Sequence, residues 1–561
     1  METPFDSEVF EHAYPKLSTM AIVGHTTTDS TKIWARTYTN VGSEWQLVLS
    51  KKPFSCDLIR LDEMNTEEYF SSNNIEVSIS SPEMMTEDTD LTATFTLNNL
   101  DENTRYYYAL ISSCTDKDKI ARRTELGRFN KHSFKTQHSN PEKLTFGFYS
   151  CHDPFSQKPH STGAWPSLLQ ILKDKNASFC MGGGDQIYVD TNKKEEMYSI
   201  TDWLSQYKNQ IIGKYSSDGV LDEDGVVKLF VNIYRMYYRL YWVFPEVKSV
   251  YQKYPQYMTW DDHEIMDGWG SYSQAERREL LSKLLQNDDE ETNGRLIELL
   301  FQAAKRVYFE YQHSHNPDTN VLLEESQNAL CVWDYGYITG NVATYVLDLR
   351  GHHDFERSEA HGNALLGDKQ MERFKNWLNR PDVKQSKSVF ISTSVPIVHW
   401  GKLVMNLDFI KSAKDDLRDE WGHESNWRER KKLLDLVAQH SESNKSIVTF
   451  LSGDVHCASV FRIESKDKPN ARVFNATSSA ISRKPNGKFV EALMAKDGKL
   501  EGSENYSIKC LSNFSGSHNF MMLTTDFSDD EVEVSVDLYW ASENDDISFR
   551  KIVLDKVPDN L

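Results

Sequence analysis

Between Ala21 and Thr136 short runs alternate apolar and polar residues: AIVGHTTTDSTKIWART, EWQLVLS, TATFTLNNL and RYYYALISS. Side chains of a strand point alternately to opposite faces, so these runs, bounded by polar turn residues, predict half-buried strands of a β-sandwich. After Pro141 the pattern changes. LTFGFYSCHD, SFCMGGGDQIY, QYMTWDDHE, ATYVLDLRG, SVFISTSVP and SIVTFLSGDVH are apolar runs that end in small or polar residues. WPSLLQILKDK, MERFKNWLNR and RERKKLLDLVAQH lie between them with helical spacing. Strands alternating with helices predict an α/β unit, in which ligands gather at the carboxyl ends of the strands.

The expected division is therefore an all-β sandwich over residues 1–138 and an α/β unit over residues 139–561. Helical insertions are expected at about 192–250 and 273–313. In the first unit, LNNLDENTRYYYAL sets Leu100 shortly before Tyr106 and Tyr108, which resembles the penultimate strand of fibronectin-type or immunoglobulin-type modules. The Tyr-rich stretch YRMYYRLYW reads as packing, and the charge run NDDEET as a solvated loop. NFMMLTTDF and EVEVSVDLYW alternate like paired strands that extend a sheet.

Charge and cysteine usage narrow the function classes. Of 561 residues, 84 are acidic and 63 basic, a net charge of −21 that repels nucleic-acid backbones and anionic membranes. No nucleic-acid binding is expected, and a polyanionic substrate needs a local positive centre. Seven cysteines without paired spacing suit a reducing compartment. No secretory signal and no apolar run of membrane-spanning length is visible. The expected location is cytoplasmic, or outside through an export machinery that needs no cleavable signal.

The candidate chemistry sits at the ends of the apolar runs: Ser150-Cys151-His152-Asp153, Gly182-Gly183-Gly184-Asp185-Gln186-Ile187-Tyr188, Asp261-Asp262-His263-Glu264 and Ser452-Gly453-Asp454-Val455-His456. Oxygen and imidazole donors so close together can hold hard or borderline cations. One such cluster is ordinary loop composition; four at successive strand ends predict a shared cleft. Asp153 is open to two readings, a further ligand or a turn residue. Asp261 either touches metal or orients His263 from behind. Arg350 is a phosphate clamp or a partner of Asp348. His399 is a weaker site candidate, and Cys457 reads as packing.

In this order the motifs resemble the PhoD-like phosphatases, a branch of the calcineurin-like metallophosphoesterases, and WDDHEI followed by DGWGSY is most similar to a signal-less subgroup. The resemblance implies a two-sheet α/β/β/α sandwich behind the β-module. It implies Asp185 as a carboxylate bridging metals, Cys151 and Tyr188 as ligands of a ferric ion, and Asp262 and Asp454 as ligands of divalent partners. His456 stands where the superfamily has a terminal metal-ligand histidine. His263 matches the histidine that meets phosphate and protonates the leaving group. The implied cofactors are Fe3+ with one or two divalent cations, calcium foremost, with magnesium, manganese or zinc as alternatives. Soft thiolate with phenolate suits a trivalent or transition metal, and carboxylates suit calcium or magnesium. Where secreted members carry Asn-Asn after WDDHE, this chain has Met266-Asp267-Gly268-Trp269. The expected activity is phosphomonoester or phosphodiester hydrolysis by metal-activated water. The rival readings are a catalytically silent binding or scaffold protein on the same fold, and carbohydrate binding through the sandwich.

Overall fold

The computed structural model describes residues 19–37, 44–55, 66–112, 132–190, 199–273, 275–276, 279, 290–319, 333–351, 365–405, 417–541 and 547–558. Cys56, Cys114, Cys331, the amino-terminal run and parts of both expected helical insertions lie outside them.

The alternating runs of the first unit form two antiparallel sheets. One sheet orders Met20–Thr26, Thr31–Arg36 and Thr92–Leu97. The other orders Ser78–Ile79, Glu44–Ser50, Arg105–Ser112 and Ser133–Lys135, with Glu83–Met84 also paired to Glu44–Ser50. Their inward residues, among them Val23, Ile33, Phe95, Leu47, Tyr108 and Phe134, share one apolar cluster. The Tyr106 hydroxyl accepts the backbone N–H of Asp101 at 2.9 Å, fixing the turn before its own strand. A short helix, Thr66–Ser72, also lies here. Its two-residue apolar stripe is too brief for sequence periodicity to reveal.

The second unit is built on two larger sheets. The first runs in the spatial order Gln256–Thr259, Phe179–Gly183, Lys143–Tyr149, Asn519–Asp526, Glu531–Ala541, Ile547–Pro558. Its first three strands are parallel, and the last three extend it antiparallel. The second sheet has eight strands. At its centre Val342–Val346, Ser388–Ser392, Ile447–Ser452 and Arg472–Ser478 are parallel. The sheets face each other across residues such as Phe146, Met181, Phe390 and Leu451. The Phe146 and Phe390 rings meet edge to face at 4.9 Å.

Helices cover both outer faces. Gly367–Leu378 and Trp427–Asn444 pack on the eight-stranded sheet. Trp165–Asp174, Ile200–Tyr215, Glu223–Tyr241, Pro245–Tyr251 and Glu290–Tyr311 join the cluster beside the six-stranded one. The tyrosines of Glu223–Tyr241 are buried, as the packing reading requires, and two reach the strand-end loops. Tyr234 donates to the carbonyl of Ile265 at 2.7 Å. Tyr241 donates to the carbonyl of Tyr188 at 2.9 Å.

The β-rich unit is pressed against this helical layer. Asp90 is buried and salt-bridged to Arg36 and Arg239. The Trp34 indole donates to the carbonyl of Glu310 at 2.7 Å. A Cβ at Gly24 would stand 2.3 Å from the carbonyl oxygen of His315, so that strand admits no side chain there. Among the described residues no helix is long and apolar enough to cross a membrane.

Candidate metal centre

Six loops leave the carboxyl ends of parallel strands from both sheets and converge. Lys143–Tyr149 delivers Cys151, Phe179–Gly183 delivers Asp185 and Tyr188, and Gln256–Thr259 delivers Asp261, Asp262 and His263. Val342–Val346 delivers Arg350, Ile447–Ser452 delivers Asp454 and His456, and Arg472–Ser478 delivers Ser479 and Arg483. Four of these residues hold left-handed backbone: Cys151 at φ 57°, Asp185 at 55°, Asp454 at 65° and His456 at 50°. Such conformations cost L-residues about 1–3 kcal/mol each and persist where the surroundings over-determine them. Gly453 has a steric task. A Cβ there would lie 2.3 Å from the Ser150 hydroxyl, so only glycine lets this loop close on its neighbour.

The donors form overlapping sets in which all ligand atoms lie within 4.8 Å of one another. One set is Cys151, Asp185 and His456; a second is Asp185, Asp262 and His263; a third is Asp185, Asp261, Asp262 and Asp454. Asp185 belongs to all three. Tyr188 joins them through its hydroxyl, 3.0 Å from Asp185 Oδ2 and 3.3 Å from His456 Nε2. Cys151 Sγ is 3.3 Å from Asp185 Oδ2 and accepts from the Ser479 hydroxyl at 2.8 Å.

The electrostatics are unbalanced without cations. Burial, reinforced by Asp261, Asp262 and Glu264, pushes Asp185 well above the carboxylate range against the pull of His263. Burial likewise raises Asp454, and it raises Asp261 to about 6. The Cys151 thiol and Tyr188 phenol are pushed well up, first by burial and then by Asp185. Burial drives His456 well below its ordinary value, leaving a neutral imidazole with a lone pair to give. Asp185 Oδ1, Asp261 Oδ2 and Asp262 Oδ1 are buried without a hydrogen-bond partner. Buried charges need pairing, and metal cations would satisfy all three oxygens. The donor set fits metals.

Several expected roles change in detail. Asp261 does not orient His263. Its Oδ1 accepts from Arg350 Nε and, at 2.8 Å, from the Ser394 hydroxyl. The histidine turns instead to Asp190, with Nδ1 2.8 Å from both carboxylate oxygens. Burial opposes a charge on His263, but Asp190, Asp262 and Asp185 together hold its pKa well above the ordinary value. Arg350 is 2% exposed and faces inward. It pairs with Asp261 and with Asp419 at 2.5 Å, and it lies 3.6 Å from Asp262. Its Nη2 has no hydrogen-bond partner, while the rest of the guanidinium is engaged with Asp261, Asp419 and the Trp269 carbonyl. Asp348, its other expected partner, accepts backbone N–H groups of Trp333, Arg350 and Gly351.

Asp153 takes the turn role, accepting the Phe155 N–H at 3.2 Å, and it also pairs with Arg483 at 2.8 Å. His399 lies apart from the donor sets, hydrogen-bonded to Ser459 at 3.0 Å. Cys457 is buried against Val490 and Met494 as packing.

Sequence reasoning missed Asp190, Arg483 and the work of Glu264. Arg483 stands 4.5 Å over the Tyr188 ring, whose centroid is 4.0 Å from that of His263. The Glu264 carboxylate gathers the backbone N–H groups of Asp185, Gln186 and Asp261 at 3.1, 2.6 and 2.9 Å. It ties two donor loops together. Asp190 had a signal: it follows Tyr188 by two residues in GGGDQIYVD. Arg483, in the unmarked stretch AISRKP, had none.

The family model for PhoD-like phosphatase matches residues 146–534. "Alkaline phosphatase D" of Bacillus subtilis (strain 168) is 21% identical over 389 residues, 67% of this chain and 57% of that protein. "Uncharacterized protein YGR266W" of Saccharomyces cerevisiae is 23% identical over 417 residues, 60% of this chain and 56% of that one. The chain thus spans little more than half the length of these curated relatives. A solved structure titled "Structure of PhoD" superposes with a TM-score of 0.62 at 15% identity, covering 95% of this chain and 91% of that one. It shares the fold.

Proposed function

Because the chain belongs to the PhoD-like phosphatase family, we propose that it is a metal-dependent hydrolase of phosphate mono- or diesters. The observation that carries this reading is Asp185, one carboxylate common to three donor sets at the meeting point of both sheets. Cys151, Tyr188 and His456 would hold one cation on its thiolate side, where a transition metal such as iron suits the donors. Asp262 and Asp454, with Asp261 behind them, would hold a harder cation such as calcium. When bound, such cations supply positive charge to a phosphoryl group and acidify water.

The remaining work falls to this chain's side chains. Asp190 accepts a hydrogen bond from the Nδ1–H of His263, which orients the ring and favours its charged form. The Nε2 proton of the charged ring is then available to the departing oxygen. Arg350 and Glu264 hold the aspartate loop in place. Residues 1–138 are read as a sandwich of the fibronectin or immunoglobulin kind that supports the α/β unit of residues 139–561. Every donor is present, which disfavours a catalytically silent scaffold.

The test is turnover of p-nitrophenyl phosphate and bis(p-nitrophenyl) phosphate by the purified chain, with elemental analysis before and after chelation. Hydrolysis that disappears with the metals is expected. Undiminished hydrolysis by metal-free protein would refute the reading.

A further inference from the structure

Arg483 borders the metal centre without belonging to any donor set. It comes from the loop after Arg472–Ser478, and its backbone N–H donates to the carbonyl of Cys151 at 3.1 Å. Its guanidinium lies 4.5 Å over the ring of Tyr188, whose hydroxyl is 3.0 Å from Asp185 Oδ2 and 3.3 Å from His456 Nε2. A full positive charge thus stands one ring away from the shared carboxylate.

Arg483 and Arg350 both reach this centre, and they differ in access. The Arg350 side chain is 2% exposed, and that of Arg483 is 26% exposed. An anion arriving from solvent meets Arg483 first. Asp153 anchors the group: Oδ2 accepts from Arg483 Nη1 at 2.8 Å. Its Oδ1 is held in turn by the Tyr241 hydroxyl at 3.1 Å and the Phe155 N–H at 3.2 Å. With a buried carboxylate at one end and the Tyr188 ring beneath, the guanidinium is positioned before any ligand arrives, which lowers the cost of binding one.

The surrounding wall favours an anion too. Residues 154–163 and 479–490 are tied together where the Lys484 N–H donates to the Ser156 hydroxyl at 2.8 Å. These two stretches hold Lys158, Arg483, Lys484 and Lys488 and no Asp or Glu, in a chain of net charge −21. The three lysines are exposed. Acids beside the wall are engaged: Asp153 with Arg483, Asp190 with His263, and Glu491 with the Ser515 N–H at 2.9 Å. A positive wall on an acidic protein draws anionic substrates to this side of the centre.

The chemistry of the guanidinium selects among phosphoesters. It recognises phosphoryl oxygens through N–H groups fixed in a plane. A monoester brings three terminal oxygens and nearly two charges. A diester replaces one of those oxygens with a second organic group and carries less charge. We propose that Arg483 binds a terminal phosphoryl oxygen of the substrate and so makes the site selective for phosphomonoesters over diesters, an inference that rests on the phosphoesterase reading.

The metal-loaded full chain tests this, by calorimetry with inorganic phosphate and by turnover of p-nitrophenyl phosphate and bis(p-nitrophenyl) phosphate. Arg483→Gln should weaken phosphate binding by about tenfold or more and raise KM for the monoester in parallel. The diester, which lacks that oxygen, should lose far less, and metal content should stay the same by elemental analysis. Arg483→Lys keeps a charge beside Asp153 and so protects the fold; without the planar fork it should still weaken phosphate binding several-fold. Unaltered phosphate binding in either folded variant would overturn the proposal. So would equal losses on both esters, or a loss of bound metal that accounts for the phosphate defect. Turnover of both esters by the parent chain with Arg483→Gln unchanged would count against this inference alone. If the parent chain hydrolyses neither ester, the phosphoesterase reading falls, and phosphate calorimetry on the two variants still decides whether Arg483 binds the anion.

Discussion

The Nδ1 atom of His263 stands 2.8 Å from each carboxylate oxygen of Asp190, so a residue outside the WDDHE motif governs the motif's histidine. Asp190 lies on the loop that also carries Asp185 and Tyr188. One loop thereby positions the shared carboxylate and sets the charge of the histidine facing it.

A pH profile reads this pairing directly. A protonated His263 that acts as general acid loses its effect as pH rises through its pKa, which is held above the ordinary value mainly by Asp190 against the effect of burial. Asp190→Asn lowers that pKa, so the alkaline fall of kcat/KM should begin at lower pH. His263→Ala should cost roughly 10²–10⁴-fold in kcat with metal content little changed. An alkaline limb that stays in place in Asp190→Asn would assign the proton to another group.

Asp185→Asn isolates the shared carboxylate. An amide is neutral and its nitrogen cannot ligate, so two cations near it would repel without compensation. The variant should fold and show a lower metal stoichiometry by elemental analysis, with phosphoester turnover near background. Full turnover in a well-folded variant would move the active site elsewhere.

Arg350 should behave as a structural cation. Removing it leaves Asp261 and Asp419 buried without their partner, a loss of about 3–5 kcal/mol. Arg350→Gln should therefore lower the denaturation midpoint strongly, in the presence of substrate or without it. A variant of unchanged stability whose only defect is a raised KM would restore the phosphate-clamp role.

Acid should loosen the joint between the β-rich unit and the helices. Burial lowers His25 to about 4 and His313 and His315 to about 3, with Lys32 adding to each. A histidine near 6.5 in the unfolded chain takes a proton there before it does in the fold. Its stabilisation is therefore full above about pH 6.5 and is lost progressively as pH falls toward about 3–4. The ceiling is roughly 3 kcal/mol for His25 and about 5 kcal/mol for His313 and His315. The melting temperature should drop steadily between pH 7 and pH 4, and His315→Gln should flatten that slope. A pH-independent melting curve over this range would contradict the assignment.

The legible part of the molecule was periodicity and strand ends. Apolar runs closing on Gly-Asp or Trp-Asp-Asp announced parallel strands and a donor-rich edge, and the structure brings Cys151, Asp185, Tyr188, Asp262, Asp454 and His456 to one place. Direction was not legible. Asp261 and Asp262 are adjacent in sequence, yet Asp261 pairs with Arg350 from 89 residues away while the Asp262 carboxylate caps the Gly268 N–H. Which neighbour a side chain meets depends on loop backbone angles such as φ 55° at Asp185, and one sequence does not encode them locally. Glu264 was obscured for a related reason. Beside three candidate ligands it looks like a fourth, and only its contacts with backbone N–H groups reveal a fastener.

The placement of Trp34 has a consequence for anyone dividing this chain. It belongs to a strand of the β-rich unit, yet its indole sits in the aromatic interior of the helical layer, 5.2 Å from Tyr311 and 6.3 Å from Trp242. Cutting at the boundary near residue 138 would leave an indole-sized hole lined by those rings, and Arg239 would lose its partner Asp90. The excised α/β half would expose a wet aromatic socket prone to aggregation. The two halves should melt in a single transition, so the apparent linker joins parts of one interior.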